Sequence, residues 1–84
     1  MSARPVKRSV LIAGHRTSVS LEEPFWDGLK AVADARSLTV AQLISDIDAE
    51  RGDTDTGLSG ALRVAVLEHY QALAKLALDS DGTS

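Results

Sequence analysis

The stretch HRTSVSLEEPFW, residues 15–26, changes from one periodicity to another within a few positions. Polar and apolar side chains alternate over residues 16–21, as they do in a half-buried β-strand. Ser20 and Glu23 then have the spacing of a helix capping box, and Pro24 stands where the first turn of a helix accepts proline. The stretch therefore predicts a short strand that leads directly into a helix.

Two capped helices follow this strand. The first is predicted to start near Glu22, and its apolar stripe comprises Phe25, Trp26, Leu29, Val32 and Ala33. Thr39 and Gln42 form a second capping box, and the helix that it opens is predicted to end at Gly52, because glycine is common just beyond helix ends. The apolar positions of this second helix are Val40, Leu43, Ile44 and Ile47.

A third helix is predicted over residues 60–78, with Ser59 as its cap. The segment is rich in Ala and Leu, and its apolar positions cover more than one narrow stripe. Such a wide apolar face indicates burial against both its own domain and a second subunit.

The chain is expected to form one small domain, because 84 residues are near the lower limit for an independent hydrophobic core. Without cysteine to form disulfides, oligomerisation is the remaining means of stabilisation. The expected segments are a flexible basic arm (1–8), a strand-helix-helix core (9–52), an acidic loop (53–59), a C-terminal helix (60–78) and a disordered tail (79–84).

The net charge of -3 is unevenly distributed along the chain. The first 20 residues contain four basic side chains and no acidic one, whereas the remainder contains 12 acidic residues. Such asymmetry indicates nucleic acid or an acidic partner for the basic end, although a solvated, disordered basic tail is the alternative.

Composition excludes several classes of function. No cysteine is present, and the two histidines are too distant in sequence for a zinc site, so no metal or other cofactor is expected. The sequence lacks a glycine-rich phosphate loop and a nucleophile paired with a base, so it is not expected to be an enzyme. Its apolar runs are far shorter than the roughly 20 residues that span a bilayer, so a cytoplasmic protein without membrane contact is expected.

A lone strand leaves its backbone N–H and C=O groups unpaired and therefore recruits another strand. The predicted partner is the same strand of a second copy, which gives an antiparallel ribbon in a homodimer. Such a ribbon fits the DNA major groove. Residues 8–12 are a second candidate strand, and which segment forms the ribbon is left open; if 8–12 does, the outward set includes Arg8.

The motifs carry a resemblance to a known family. The order of strand, capped helix, short turn and capped helix resembles the ribbon-helix-helix superfamily of dimeric DNA-binding repressors. More narrowly, KRS, GHRTS, the FW pair and LSGALR are similar to segments of a small bacterial ribbon-helix-helix family, over about residues 7–70. The resemblance implies a mainly α fold with one N-terminal strand that pairs across a homodimer, two core helices and an added third helix.

The resemblance and the alternation together assign candidate residues. The predicted contacts to double-stranded DNA are the outward strand residues Arg16, Ser18 and Ser20, the basic residues Arg8, Lys7 and His15, and the start of the second helix at Thr39 and Val40. The predicted dimer interface comprises Thr17, Val19, Leu21, Trp26, Leu43, Ile44 and Ile47.

Two interpretations compete with this one. Phe25 and Trp26 resemble a stacking platform for single-stranded nucleic acid, but adjacent positions on an apolar stripe favour a core or dimer-interface role. The chain as a whole is alternatively a dimeric protein-interaction module, such as an antitoxin, whose third helix binds a second protein. The scarcity of base-reading side chains and the wide apolar face of the third helix support that alternative.

Overall fold

The computed structural model describes residues 4–52 and 57–82. Its five elements are the strands β1 (Pro5–Ile12) and β2 (His15–Glu22) and the helices α1 (Glu23–Ala35), α2 (Val40–Arg51) and α3 (Leu58–Gly82). The two strands form an antiparallel two-stranded sheet, and the three helices follow it in the chain.

The strands form a hairpin within one chain. Ala13 and Gly14 connect them with φ values of 50° and 83°, which are the positive angles that a tight type I′ hairpin turn requires. The register runs from the pair Ile12 and His15 at the turn to the pair Pro5 and Glu22 at the open end. The expectation that β2 lacks a partner within its own chain is therefore wrong, because the two candidate strands pair with each other across a turn that closes locally.

The N-terminal arm is shorter than predicted. Residues 5–8 belong to β1, so Arg4 is the part of the predicted arm at 1–8 that precedes the strand among the described residues. Pairing with β2 supplies backbone hydrogen-bond partners that composition alone does not reveal.

Helix α1 begins without the predicted side-chain cap. Its N-cap is Glu22, which makes no side-chain capping hydrogen bond, and Pro24 lies in the first turn as expected. Ser20 lies within β2 opposite Lys7, too early to cap the helix. The capping box of Ser20 and Glu23 is therefore wrong, since strand pairing continues for two residues beyond Ser20.

Helix α2 begins and ends as predicted. The backbone N–H of Gln42 donates to Thr39 Oγ1 at 3.1 Å, and the Thr39 N–H donates to Gln42 Oε1 at 2.9 Å, which confirms the capping box. Gly52, with φ 53°, follows the last helical residue, Arg51. The positive φ is the conformation that favours glycine beyond a helix end.

Helix α3 is longer than predicted at both ends. It starts at Leu58 and continues to Gly82, so residues 79–82 of the predicted tail are helical. Ser59 does not cap the helix; its hydroxyl donates to the carbonyl oxygen of Ser20 on β2 at 3.0 Å. Residues 53–56 of the predicted acidic loop and residues 83 and 84 lie outside the described residues.

The core lies between the inner face of the hairpin and the three helices. It is built from Ile12, Val19, Leu21, Trp26, Leu29, Val32, Ala33, Leu43, Ile44, Ile47, Leu62 and Val66. Six of the seven residues predicted for the dimer interface are in this set, and Thr17 is half-buried. In this fold the protomer's own helices and hairpin cover those side chains, and the structure describes no second copy.

Candidate nucleic-acid interface

The hairpin presents one face that no helix covers. Alternation along the two strands directs Lys7, Ser9 and Leu11 of β1 outward together with Arg16 and Ser18 of β2, and all five side chains are exposed. We call these five residues the hairpin outer face.

Cross-strand register brings predicted contact residues from both strands together. Lys7 lies opposite Ser20, Ser9 opposite Ser18, and Leu11 opposite Arg16. The sequence analysis did not assign Ser9 and Leu11, although the register relative to Arg16 places them on the same face. Only the pairing of the two strands with each other could have indicated them. The result is a narrow ribbon with hydroxyls at its centre and one basic residue towards each end.

The basic side chains of the outer face are not neutralised by acids. Within residues 4–52 and 57–82, neither Lys7 nor Arg16 forms an ion pair. Their charges are therefore available to an anionic partner. Ser20, at the open end of the hairpin, is half-buried, because α3 approaches its carbonyl through Ser59.

Arg8 lies on the opposite, inner face of the hairpin. It is paired in register with the buried Val19, and its guanidinium lies 5.0 Å from the centre of the Trp26 ring. Its Nη2 donates to Glu23 Oε1 at 3.3 Å. The expectation that the first strand would present Arg8 outward is wrong, because the register with β2 reverses its side. Arg8 instead connects the hairpin to the start of α1.

Trp26 anchors the hairpin from below. The indole is 2% exposed, and its Nε1 donates to the carbonyl oxygen of Val6 on β1 at 2.9 Å. Phe25 is half-buried with the Arg63 guanidinium 5.8 Å from its ring centre. A buried indole has no face free for base stacking, so the structure favours the core role over the stacking platform.

His15 and Arg4 stand at the two ends of the hairpin. His15 is exposed directly after the turn at Gly14, and Arg4 is exposed before the first residue of β1. Both belong to the basic N-terminal region, but they lie at the ends of the outer face, away from its centre.

The start of α2 offers backbone donors. The capping box occupies the N–H groups of Thr39 and Gln42, whereas those of Val40 and Ala41 have no acceptor within the helix. Thr39 is exposed, and the Val40 side chain packs against the core. If this end of α2 contacts an anion, Val40 contributes its backbone N–H and not its side chain.

An ion pair joins the end of β2 to α3. Arg63 Nε and Nη2 donate to the two carboxylate oxygens of Glu22 at 2.9 and 3.0 Å. The hydrogen bond to Arg63 is the main reason that the pKa of Glu22 lies below its ordinary value. This pair, which connects positions 41 residues apart, carries no local sequence signal. It neutralises the acid nearest the open end of the hairpin.

The described residues contain no group of three or more His, Cys, Asp or Glu side chains that could hold a metal ion. Among the helices of residues 4–52 and 57–82, none has the length and apolar character needed to cross a membrane. His69 packs edge-on against Tyr70, at 5.2 Å between ring centres, on the helix α3.

Comparison with known proteins identifies similarities in sequence and in fold. The ribbon-helix-helix domain, a non-enzymatic fold family, matches residues 5–70. The chain is also similar to the solved structure of an uncharacterized protein from Bordetella pertussis Tohama I, with 31% identity and a TM-score of 0.73 over 88% of this chain. The chain spans 62% of the length of that protein. No curated protein shows significant similarity to the chain.

Proposed function

Because the chain belongs to the ribbon-helix-helix domain family, we propose that it is a dimeric, sequence-specific double-stranded DNA-binding protein. Members of this family typically dimerise and bind DNA. The proposed role is transcriptional regulation of the repressor type in the bacterial cytoplasm.

The observation that supports this proposal most directly is the hairpin outer face. A two-stranded ribbon has the width of the DNA major groove. This one is uncovered and carries Lys7 and Arg16 without ion-pair partners. The arginine fork can donate two hydrogen bonds to guanine, and the hydroxyls of Ser9 and Ser18 can donate to or accept from base edges. We therefore assign base reading to Arg16 and the serines, with Ser20 at the margin.

The other predicted contacts would position the protein on the phosphate backbone. The free N–H groups at the start of α2 have the geometry that binds phosphate, and Thr39 is exposed beside them. Lys7 and His15 add donors at the two ends of the hairpin. Arg8 acts through position alone, because its interactions with Trp26 and Glu23 hold the hairpin against α1.

The first test is a selection. Purified full-length protein is mixed with fragmented bacterial genomic duplex DNA at near-physiological salt, and the retained fragments are sequenced. We expect a short, two-fold-related motif. Arg16→Ala should lower affinity for that motif about 5- to 150-fold, the equivalent of about 1–3 kcal/mol for one bidentate contact.

Two comparisons separate base reading from charge. Arg16→Lys keeps the charge but loses the fork, so it should retain non-motif duplexes as the parent does while losing the motif. Lys7→Ala should weaken binding to all duplexes and reduce the salt dependence by about one ion, whereas Lys30→Ala, the same change on α1, should do neither. If Arg16→Ala and the parent retain the same fragments equally, the outer face does not read sequence.

A second candidate function is the dimeric protein-interaction module, such as an antitoxin. The observation that favours it is the row of exposed large apolar side chains on α3. Featureless retention of DNA, together with stoichiometric purification with a second protein encoded beside this one, would support the module over the regulator.

A further inference from the structure

The C-terminal half of α3 extends beyond the body of the protomer. Residues 71–78 are all exposed, yet they are mostly apolar. The exposed large apolar side chains of this helix are Val64, Leu67, Tyr70, Leu73, Leu76 and Leu78. A contiguous apolar surface of this kind on a small protein marks an interaction site.

One row of residues on α3 points directly away from the body. Val64 borders two grooves on opposite sides of the helix, one against Phe25 of α1 and the other against Ile47 of α2, so it forms the ridge between them. Residues at spacings of 3, 7, 10 and 14 from Val64 continue this ridge along the helix. We call this row the outward seam; its members are Val64, Leu67, Gln71, Ala74 and Leu78.

The spacing of the outward seam is that of a coiled-coil contact line. Alternating steps of three and four residues, kept over two heptads, place each side chain on one narrow stripe. Glu68 and Lys75 each follow a seam residue directly, so both flank the stripe on the same side. They occupy the positions from which charged residues contact a partner helix in coiled coils.

We propose that the outward seam pairs with the same seam of a second copy of this chain, in antiparallel orientation, about a two-fold axis at Gln71. The proposal rests on the proposed function and gives its dimer an interface. In this arrangement Val64 lies level with Leu78 of the other copy. Glu68 lies level with Ala74 of the other copy, beside its Lys75, and the symmetry repeats this pair of opposite charges.

Charge selects the orientation. A parallel pair would place Glu68 beside Glu68 and Lys75 beside Lys75, which is unfavourable on both counts. The antiparallel pair makes each a neighbour of its opposite. At the axis, the Gln71 amide can both donate to and accept from its counterpart, and one polar residue in such a seam sets the register.

Sterics select the face. The side of α3 that carries Leu62 and Val66 is buried against the protomer's own core. Only the outward face is clear of that body over the full length from residue 64 to residue 78, which is about 21 Å of helix. A second α3 of equal length can therefore lie along this face without contacting the body that it serves.

The test is sedimentation velocity of the full chain, without DNA, over a thousandfold range of concentration. We expect a monomer–dimer equilibrium that Leu67→Glu weakens at least tenfold. The matched control is Leu73→Glu, because Leu73 is 48% exposed against 55% for Leu67 but lies on the side of Leu62 and Val66. The control should dimerise as the parent does, and circular dichroism should show both variants folded.

A charge exchange tests the orientation. Glu68→Lys and Lys75→Glu should each weaken the dimer about two- to tenfold, as expected for symmetric pairs of exposed charges, and the double variant should restore it. A protein that is monomeric throughout, a dimer that survives Leu67→Glu, or a double variant weaker than either single one would overturn the proposal.

The same variants separate this inference from the proposed function. If the selection yields an Arg16-dependent motif but the protein is monomeric or insensitive to Leu67→Glu, the seam is refuted and the regulator stands. If the dimer depends on Leu67 but no motif is retained, the regulator is refuted and the seam stands.

Discussion

Gly28 is the position where α1 approaches α3 most closely, and its replacement gives a quantitative test of that packing. A Cβ atom added there would lie 2.5 Å from Cγ1 of Val66 and 3.4 Å from its Cγ2. Carbon atoms in contact are normally about 3.5–4.0 Å apart, so roughly 1 Å of movement is required. Val66 cannot turn aside, because a valine within a helix is restricted to one main rotamer.

Two opposing terms determine the effect of Gly28→Ala on the free energy of unfolding. Alanine is favoured over glycine within a helix by about 1 kcal/mol. Overpacking a well-filled core costs about 1–3 kcal/mol. We expect a net destabilisation of about 1 kcal/mol, because the clash is with a rigid side chain.

The background variant Val66→Ala reverses the sign. It removes the methyl groups that the new Cβ would meet, so Gly28→Ala should then stabilise by up to about 1 kcal/mol. The coupling between the two positions is therefore about 2 kcal/mol, within the range seen for residues in contact. The measurement is urea unfolding followed by far-UV circular dichroism at one protein concentration, since association would otherwise shift the result. An effect of equal sign and size in both backgrounds would refute the packing described here.

Three further changes probe the elements around the hairpin. Thr39→Ala should lower the free energy of unfolding by about 1 kcal/mol through loss of the cap, with Thr39→Ser close to the parent in the same urea titration. Trp26→Phe should cost about 1–2 kcal/mol, because the carbonyl of Val6 loses its donor; an unchanged unfolding midpoint would contradict that hydrogen bond. The pKa of Glu22 is lowered by Arg63, so its stabilising contribution is complete above its ordinary value of 4.5 and is lost as the pH falls below it. Glu22→Gln should therefore lose less stability than the parent between about pH 5 and about pH 3, and identical acid profiles would argue against the pair.

Local signals predicted the helices well. Thr39 and Gln42 marked the start of α2 correctly because a capping box involves only residues three apart, and Gly52 marked its end for the same reason. Ser20 and Glu23 have an equivalent spacing and yet form no cap. The difference is that Ser20 remains paired with β1, a contact from outside the segment that overrides its local preference.

Long-range contacts account for the rest of the differences. Alternation in β2 correctly indicated which side of Arg16 and Val19 faces the core, but it could not identify the strand's partner. The turn at Ala13 and Gly14 makes that partner β1, and the resulting register turns Arg8 inward. The pair of Arg63 and Glu22 joins two distant segments, so no single window of sequence contains it.

The position of Trp26 supplies the molecule with its own optical probe. It is the single tryptophan of the chain, and it lies between α1 and β1, with a strand carbonyl at its nitrogen and a guanidinium above its ring. Any movement of the hairpin away from α1 would hydrate the indole and shift its emission to longer wavelength. Fluorescence of the unmodified protein therefore reports whether a partner binds a rigid hairpin or one that lifts to meet it.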